Sequence, residues 1–184
     1  LAKISGRRIC AVFNSRNSDT GVLYMREIES SLIANAVEKL FLDCCCSISP
    51  DAEASIKRSA GIEESPSGKD ILDQVLENIK IAREEKIPAC QDTGMAVVFL
   101  EVGQDVHIRG EYIYDAVNEG VRRAYEGGFF RKSVVASPLD RQNTSDNTPA
   151  VIHTEIVPGE RLRITALPKG FGSENMSTIK MLKP

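Results

Sequence analysis

Three short segments concentrate side chains able to do chemistry. The first, ACQDTG (89–94), sets Cys90, Gln91, Asp92 and Thr93 between Pro88 and an apolar run that begins at Met95. A cysteine on a rigid turn becomes a soft anionic ligand once a metal lowers its pKa. An amide and a carboxylate beside it are suited to bind or protonate a substrate on that metal. The same residues also make an ordinary turn that holds a thiol, and residue types alone leave both readings open. The second segment, FFRKSVVASPLD (129–140), carries Arg131 just past a Gly-Gly pair. A planar guanidinium grips a carboxylate through two parallel hydrogen bonds; a solvated surface arginine is the alternative. In the third, KGFGSENMS (169–177), Gly170 and Gly172 permit a tight loop and Ser173 is placed to cap a following helix. Free N–H groups at such a helix start receive an anion, although a capping turn needs no ligand. The pattern is neither GxGxxG nor a Walker loop, so nucleotide binding is not supported.

The other reactive side chains carry less signal. Five cysteines are present: Cys10, the triplet Cys44–Cys46 and Cys90. The triplet follows a helical pattern, and adjacent residues do not converge easily on one metal, so these read as small apolar thiols. No CxxC pair supports a zinc site. His107 falls in a loop after a strand, and His153 alternates with Ile152 and Thr154 on another.

The elements that must position these segments are legible from periodicity. From Met25, residues Ile28, Leu32, Ile33, Ala36, Val37, Leu40 and Phe41 recur at three and four, which predicts one amphipathic helix. SISPDAEASIKRS restarts a short helix with Ser49 as cap and Pro50 at its first position. SPSGKDILDQVLENIKIAREEK is the clearest helix, with Ile71, Leu72, Val75, Leu76 and Ile79 on one side and Pro88 as the stop. Met95 to Val102 is apolar almost throughout and predicts a strand buried on both faces. GEYIYDAVNEGVRRAYEGG predicts a helix capped at Gly127-Gly128. After the polar loop SPLDRQNTSDNTPA, the segment VIHTEIVPGERLRITAL reads as two alternating strands joined by a Pro-Gly turn. The glycine loop then leads into a helix. Helices come first and strands later, without regular βα alternation, so the expected class is α+β: a helical N-terminal part followed by a mixed sheet with helices.

Composition excludes several functions. Twenty-three basic against 26 acidic residues give a net charge of −3, so no global field draws the chain to nucleic acid or an anionic membrane. No run reaches the ~18 apolar residues of a membrane span, and no signal-peptide core opens the chain, which makes the cytoplasm the expected address. Residues 1–24 show no sustained period and precede the first methionine, Met25; they read as a flanking leader outside the fold, with 25–184 as the domain. The C-terminal TIKMLKP stops inside a lysine-rich helical run without a cap, so the domain reads as truncated there.

KIPACQDTGMAVVFLEVGQDVHI, RKSVVASPLDRQNT and LPKGFGSENMS, in this order, resemble the alpha subunit, or N-terminal half, of the iron–sulfur (class I) fumarate hydratase and L-tartrate dehydratase family. The resemblance covers Met25 to Pro184. It implies that Cys90 is one of three cysteines holding a [4Fe–4S] cluster, that Gln91, Asp92 and Arg131 contact a small dicarboxylate, and that Gly172 lies against it. An acid at Asp92 beside such a cluster is suited to shuttle a proton to the departing oxygen as the catalytic residue, with positioning alone as the alternative role. The implied activity is reversible hydration of fumarate to L-malate, a tricarboxylic-acid-cycle reaction, with L-tartrate dehydration as the alternative. The family's other two cluster cysteines and its catalytic base lie beyond the residues matched here. A fumarase beta subunit or C-terminal half is therefore the implied partner, in a hetero- or homo-oligomer, and the fragment alone is expected to be inactive. A thiol-based redox module and a pure interaction subunit are the readings of other classes.

Overall fold

In a computed structural model the described residues are 25–172 and 176–182, together with the strand backbones 3–5 and 8–13. Four helices and two sheets form an α+β arrangement. The helices start where local chemistry sets them. Ser49 accepts a hydrogen bond from the Ala52 N–H at the head of α2 (Pro50–Ile62), and Ser65 accepts one from the Gly68 N–H at the head of α3 (Pro66–Glu85). Each has a proline in its first turn, where the missing N–H costs nothing. Helix α4 (Ile113–Gly127) ends at Gly128, as its Gly-Gly pair predicts.

The larger sheet has five strands in the order β1-β2-β7-β4-β6: β1 (Lys3–Ser5), β2 (Arg8–Phe13), β4 (Met95–Gly103), β6 (Val151–Val157) and β7 (Leu162–Lys169). Strand β4 runs antiparallel to β7 and parallel to β6. Helix α1 (Ser30–Cys46) and α4 provide the rest of the core. Ile33, Val37, Leu40 and Phe41 of α1 join Val117, Val121, Ala124 and Tyr125 of α4 in one buried cluster with Val98, Leu100, Ile164 and Ala166 of the sheet. Gly120 allows the two helices to approach: a Cβ there would stand 2.4 Å from the Ala34 carbonyl oxygen. A mid-helix glycine costs roughly 0.5–1 kcal/mol relative to alanine, which is less than the clash it avoids. Among the described residues no helix is long and apolar enough to cross a membrane.

Several expectations are corrected. The predicted first helix begins only at Ser30; Arg26–Glu29 is a strand, β3, paired in parallel with β5 (Val106–Arg109), so His107 lies on a strand and not in a loop. Ile28 keeps its apolar role, because one buried residue satisfies a strand as well as a helix. Strand β4 is buried on one face only: Ala96, Val98 and Leu100 point inward, while Phe99 on the other face is 40% exposed. The two strands after residue 150 exist, but β4 lies between them, and the Pro158-Gly159 turn is tied to the end of β4 by the Gln104 N–H to the Val157 carbonyl and the Asp105 N–H to the Gly159 carbonyl. The apolar side of α3 is only partly covered, with Ile71 60% exposed. Residues 177–182 are not helical; Ile179, Met181 and Leu182 are exposed, and so short a helix without a packed face is marginal in water. Residues 3–5 and 8–13, expected in a leader outside the fold, form β1 and β2, with β2 antiparallel to β7. The remainder of 1–24 lies outside the described residues.

Candidate active site

Sheet topology brings the three chemical segments to one end of the molecule. Because β4 and β7 are antiparallel, Met95 at the start of β4 pairs with Lys169 at the end of β7. ACQDTG therefore enters the sheet where KGFG leaves it. Because β4 and β6 are parallel, the loop 141–149 that precedes β6 arrives at the same end. Gly94 sits at the crossing with φ +69°, and a Cβ there would lie 2.3 Å from the Lys169 carbonyl. Both the backbone conformation and the close approach require glycine.

Side chains then tie the segments together. The Asp92 carboxylate accepts from the Gly94 N–H through Oδ1 at 3.1 Å and from the Phe171 N–H through Oδ2 at 2.9 Å, linking the first segment to the third. Thr93 is buried, and its Oγ1 donates to the Arg131 carbonyl at 3.0 Å, linking the first segment to the second. The Tyr125 hydroxyl of α4 donates to the Thr93 carbonyl at 2.8 Å. Burial pushes the Tyr125 phenol well above its ordinary pKa, which keeps it a donor.

The fourth tie, Asn147, has no exposed surface and a φ of +63°. Its Oδ1 accepts from the Ser133 and Val134 N–H groups at 2.8 and 3.1 Å, and its Nδ2 donates to the Gly94 carbonyl at 3.2 Å. One side chain thus joins the loop after Arg131 to the turn after Asp92. Its own loop is anchored to α4, because Arg122 donates to Asp146 at 3.1 Å and Asn118 accepts from the Ala150 N–H at 2.8 Å. Neither Asn147 nor Tyr125 stood out in the sequence. The available signals were an asparagine in a polar loop, a residue tolerant of left-handed backbone, and a tyrosine on an apolar helix face, whose hydroxyl must find a partner.

The residues picked from sequence fall as follows. Cys90 and Gln91 are exposed, and Asp92 is half-buried. The Cys90 sulfur accepts the Asp92 N–H at 3.4 Å. Residue 89 before it is pinned on both sides: the Ala89 N–H donates to the Cys45 carbonyl, and its carbonyl accepts from Asn78 of α3. Arg131 is exposed, with its backbone held by Thr93. Gly172 is exposed, and among the described residues a Cβ there would meet no atom within 4 Å. Ser173 lies outside the described residues. In the triplet, Cys45 and Cys46 are buried and Cys44 is half-buried, with its Sγ 3.8 Å from the Ala166 carbonyl. Burial raises the Cys45 and Cys46 thiols above their ordinary pKa, so these two behave as the small apolar groups expected.

The family model described as fumarate hydratase (Fumerase) matches residues 34–184. Over 158 residues the chain is 36% identical to a Methanocaldococcus jannaschii protein provisionally named as an L(+)-tartrate dehydratase alpha subunit; the match covers 83% of this chain and 55% of that one. It is 36% identical over 116 residues to the aerobic class I fumarate hydratase of Escherichia coli K12, covering 61% of this chain and 21% of that protein. It is also 29% identical over 138 residues to the L(+)-tartrate dehydratase alpha subunit of Escherichia coli UTI89, covering 73% and 45%. The chain thus spans about half the length of the alpha subunits and about a fifth of the class I fumarate hydratase. With its matched region running through all three joined segments, the chain belongs to the fumarate hydratase (Fumerase) family.

Proposed function

We propose that this chain forms the alpha part of an iron–sulfur hydro-lyase that interconverts fumarate and L-malate, contributing Cys90 as one cluster ligand. The observation that supports the reading is the junction at the end of the sheet, where Asp92 and Thr93 hold the cysteine turn, the arginine loop and the glycine loop against one another. Outside that junction, Cys90, Gln91, Arg131 and Gly172 remain open to a ligand.

The donor chemistry at Cys90 fits. Its sulfur is accessible and already accepts a backbone N–H, so it is placed to serve as a soft ligand. It fits as a single ligand: among the described residues no group of three His, Cys, Asp or Glu side chains is arranged to hold a metal. The remaining ligands and the catalytic base would come from a beta subunit or C-terminal half. When bound, the cluster supplies Lewis acidity toward a departing hydroxyl.

The chain's own residues would then do the following. The Arg131 guanidinium binds one substrate carboxylate in bidentate fashion, which fixes the orientation of the carbon skeleton. Gln91 adds an amide hydrogen bond. Gly172 leaves the space that a side chain would fill. Asp92 positions both loops through its two backbone bonds, and each oxygen keeps a lone pair with which to exchange a proton at the substrate hydroxyl. Dehydration of L-tartrate would use the same groups, and the alpha-subunit names of two relatives favour it as the second reading.

Anaerobic co-production with the beta partner tests the proposal. The complex should be brown and oxygen-sensitive, and assays on fumarate and L-tartrate decide between the two readings. Cys90→Ser should abolish colour and turnover, while Cys45→Ser leaves both nearly intact. Arg131→Lys should keep the cluster absorbance but lower kcat/KM by roughly 2 kcal/mol, about thirtyfold, because a point charge does not copy a bidentate clamp. A full cluster in Cys90→Ser would overturn the assignment.

A further inference from the structure

The backbone at Arg131 is fixed from both sides. Before it, Phe130 is buried and meets the Tyr125 ring edge-on, with centroids 5.5 Å apart at 89°. The Phe130 N–H also donates to the Tyr125 carbonyl at 3.0 Å. After the side chain, the Arg131 carbonyl accepts from the Thr93 hydroxyl at 3.0 Å. The circuit closes through Tyr125 again, whose hydroxyl donates to the Thr93 carbonyl at 2.8 Å. Thr93 follows Asp92 directly, so the group that holds Arg131 stands one residue from the carboxylate of the site.

This path is held against local preference. The chain turns through φ +53° at Phe129, a left-handed conformation unfavourable to a bulky side chain. Gly128, which adopts such backbone freely, is right-handed instead. Phe129 is 93% exposed, so its ring gains little packing among the described residues. Unfavourable backbone persists where the surrounding structure over-determines it. Here the surroundings are the Phe130 ring seat on one side and the Thr93 bond on the other.

We propose that Thr93 is a positioning residue for Arg131, its hydroxyl fixing where the guanidinium reaches relative to Cys90 and Asp92. The proposal rests on the reading of Arg131 as the carboxylate clamp. A long side chain grips a carboxylate in bidentate fashion only from a fixed base; from a mobile one, the substrate must order the loop as it binds. Asn147 steadies the same loop, but it holds Ser133 and Val134, beyond the arginine. Thr93 holds the peptide of Arg131 itself. Its hydroxyl has one proton to donate, and that proton goes to Arg131. Valine has the same shape without the donor, and serine keeps the donor without the methyl.

Kinetics of the anaerobically produced complex with the beta partner test this, on whichever of fumarate and L-tartrate the parent turns over. Thr93→Val should raise KM by about tenfold and hold kcat within about twofold, because the clamp acts on bound substrate and transition state alike. Cluster absorbance per chain should match the parent. A purely structural role would lower kcat and absorbance together and leave KM alone. Thr93→Ser should return KM to within about twofold of the parent. In an Arg131→Lys background, which has no bidentate clamp to position, Thr93→Val should raise KM by less than about twofold. If Thr93→Val does not fold, Tyr125→Phe takes its place: it keeps the ring against Phe130, removes the bond that seats Thr93, and should raise KM about threefold. A parent KM in the variant used, no recovery with serine, or an equal rise in both backgrounds would each overturn the proposal. Parent kinetics in Arg131→Lys alone would overturn the clamp reading beneath it, a failure seen with Thr93 untouched.

Discussion

Replacing Asn147 isolates the bond network on which the candidate site depends. Asn147→Ala removes three hydrogen bonds at a position with no exposed surface, leaving the Ser133 and Val134 N–H groups without their partner and the Gly94 carbonyl with only the longer contact from the Tyr125 hydroxyl at 3.5 Å. A buried polar group left unpaired costs about 1–3 kcal/mol. Ser133 is only half-buried, so water relieves part of its loss, and the lower figure is the safer one. Three lost bonds at about 1 kcal/mol each give about 3 kcal/mol. Alanine at a φ of +63° adds about 1 kcal/mol that asparagine largely avoids. The expected total is about 4 kcal/mol, or a fall in Tm of roughly 8–16 °C for a chain of this size. Asn147→Gly removes the same three bonds without the backbone strain and should cost about 1 kcal/mol less. Urea denaturation of the two variants beside the parent measures both quantities. A loss below about 1 kcal/mol for Asn147→Ala would refute the reasoning, and equal losses for alanine and glycine would refute the backbone part of it.

Two further outcomes test separate parts of the structure. Hydrogen bonds from Lys57, at 2.7 Å, and from Arg83 of α3 hold the Glu53 carboxyl down at about 2, below its ordinary 4.5. A folded-state pKa below the unfolded one gives stability that is fully present above the unfolded value and lost as pH falls through the folded one. The Tm difference between the parent and Glu53→Gln should therefore be present at neutral pH and shrink as pH falls from about 4.5 to about 2; a difference that does not change with pH would remove the ion pair as its cause. The glycines at the site should separate fold from function. Gly94→Ala meets the Lys169 backbone and should destabilise the chain severely, whereas Gly172→Ala meets no atom among the described residues and should leave stability within about 0.5 kcal/mol. In the completed enzyme the same Gly172→Ala should still lower kcat/KM; unchanged kinetics would take Gly172 out of the substrate's surroundings.

What could be read from the sequence was local. Ser49 and Ser65 announce their helices because a cap and a following proline act within one turn of chain. Gly127 and Gly128 end α4 for a similarly short-range reason. Long-range pairing was not legible. Arg26–Glu29 continues a helical period, yet it is a strand because β5, about eighty residues later, offers it a ladder. Strands β6 and β7 read as neighbours across a four-residue turn, yet β4 occupies the place between them. The candidate site depends on that same insertion. Had β6 and β7 paired directly, the start of β4 would not lie beside both the end of β7 and the loop before β6. The Asp92 carboxylate would then have no Phe171 N–H to accept from, and the Asn147 amide no Gly94 carbonyl to reach. The chemical types of Cys90, Gln91, Asp92 and Arg131 can be read one residue at a time; their convergence is a property of strand order, carried by an asparagine and a tyrosine whose roles appear only once the strands are in place.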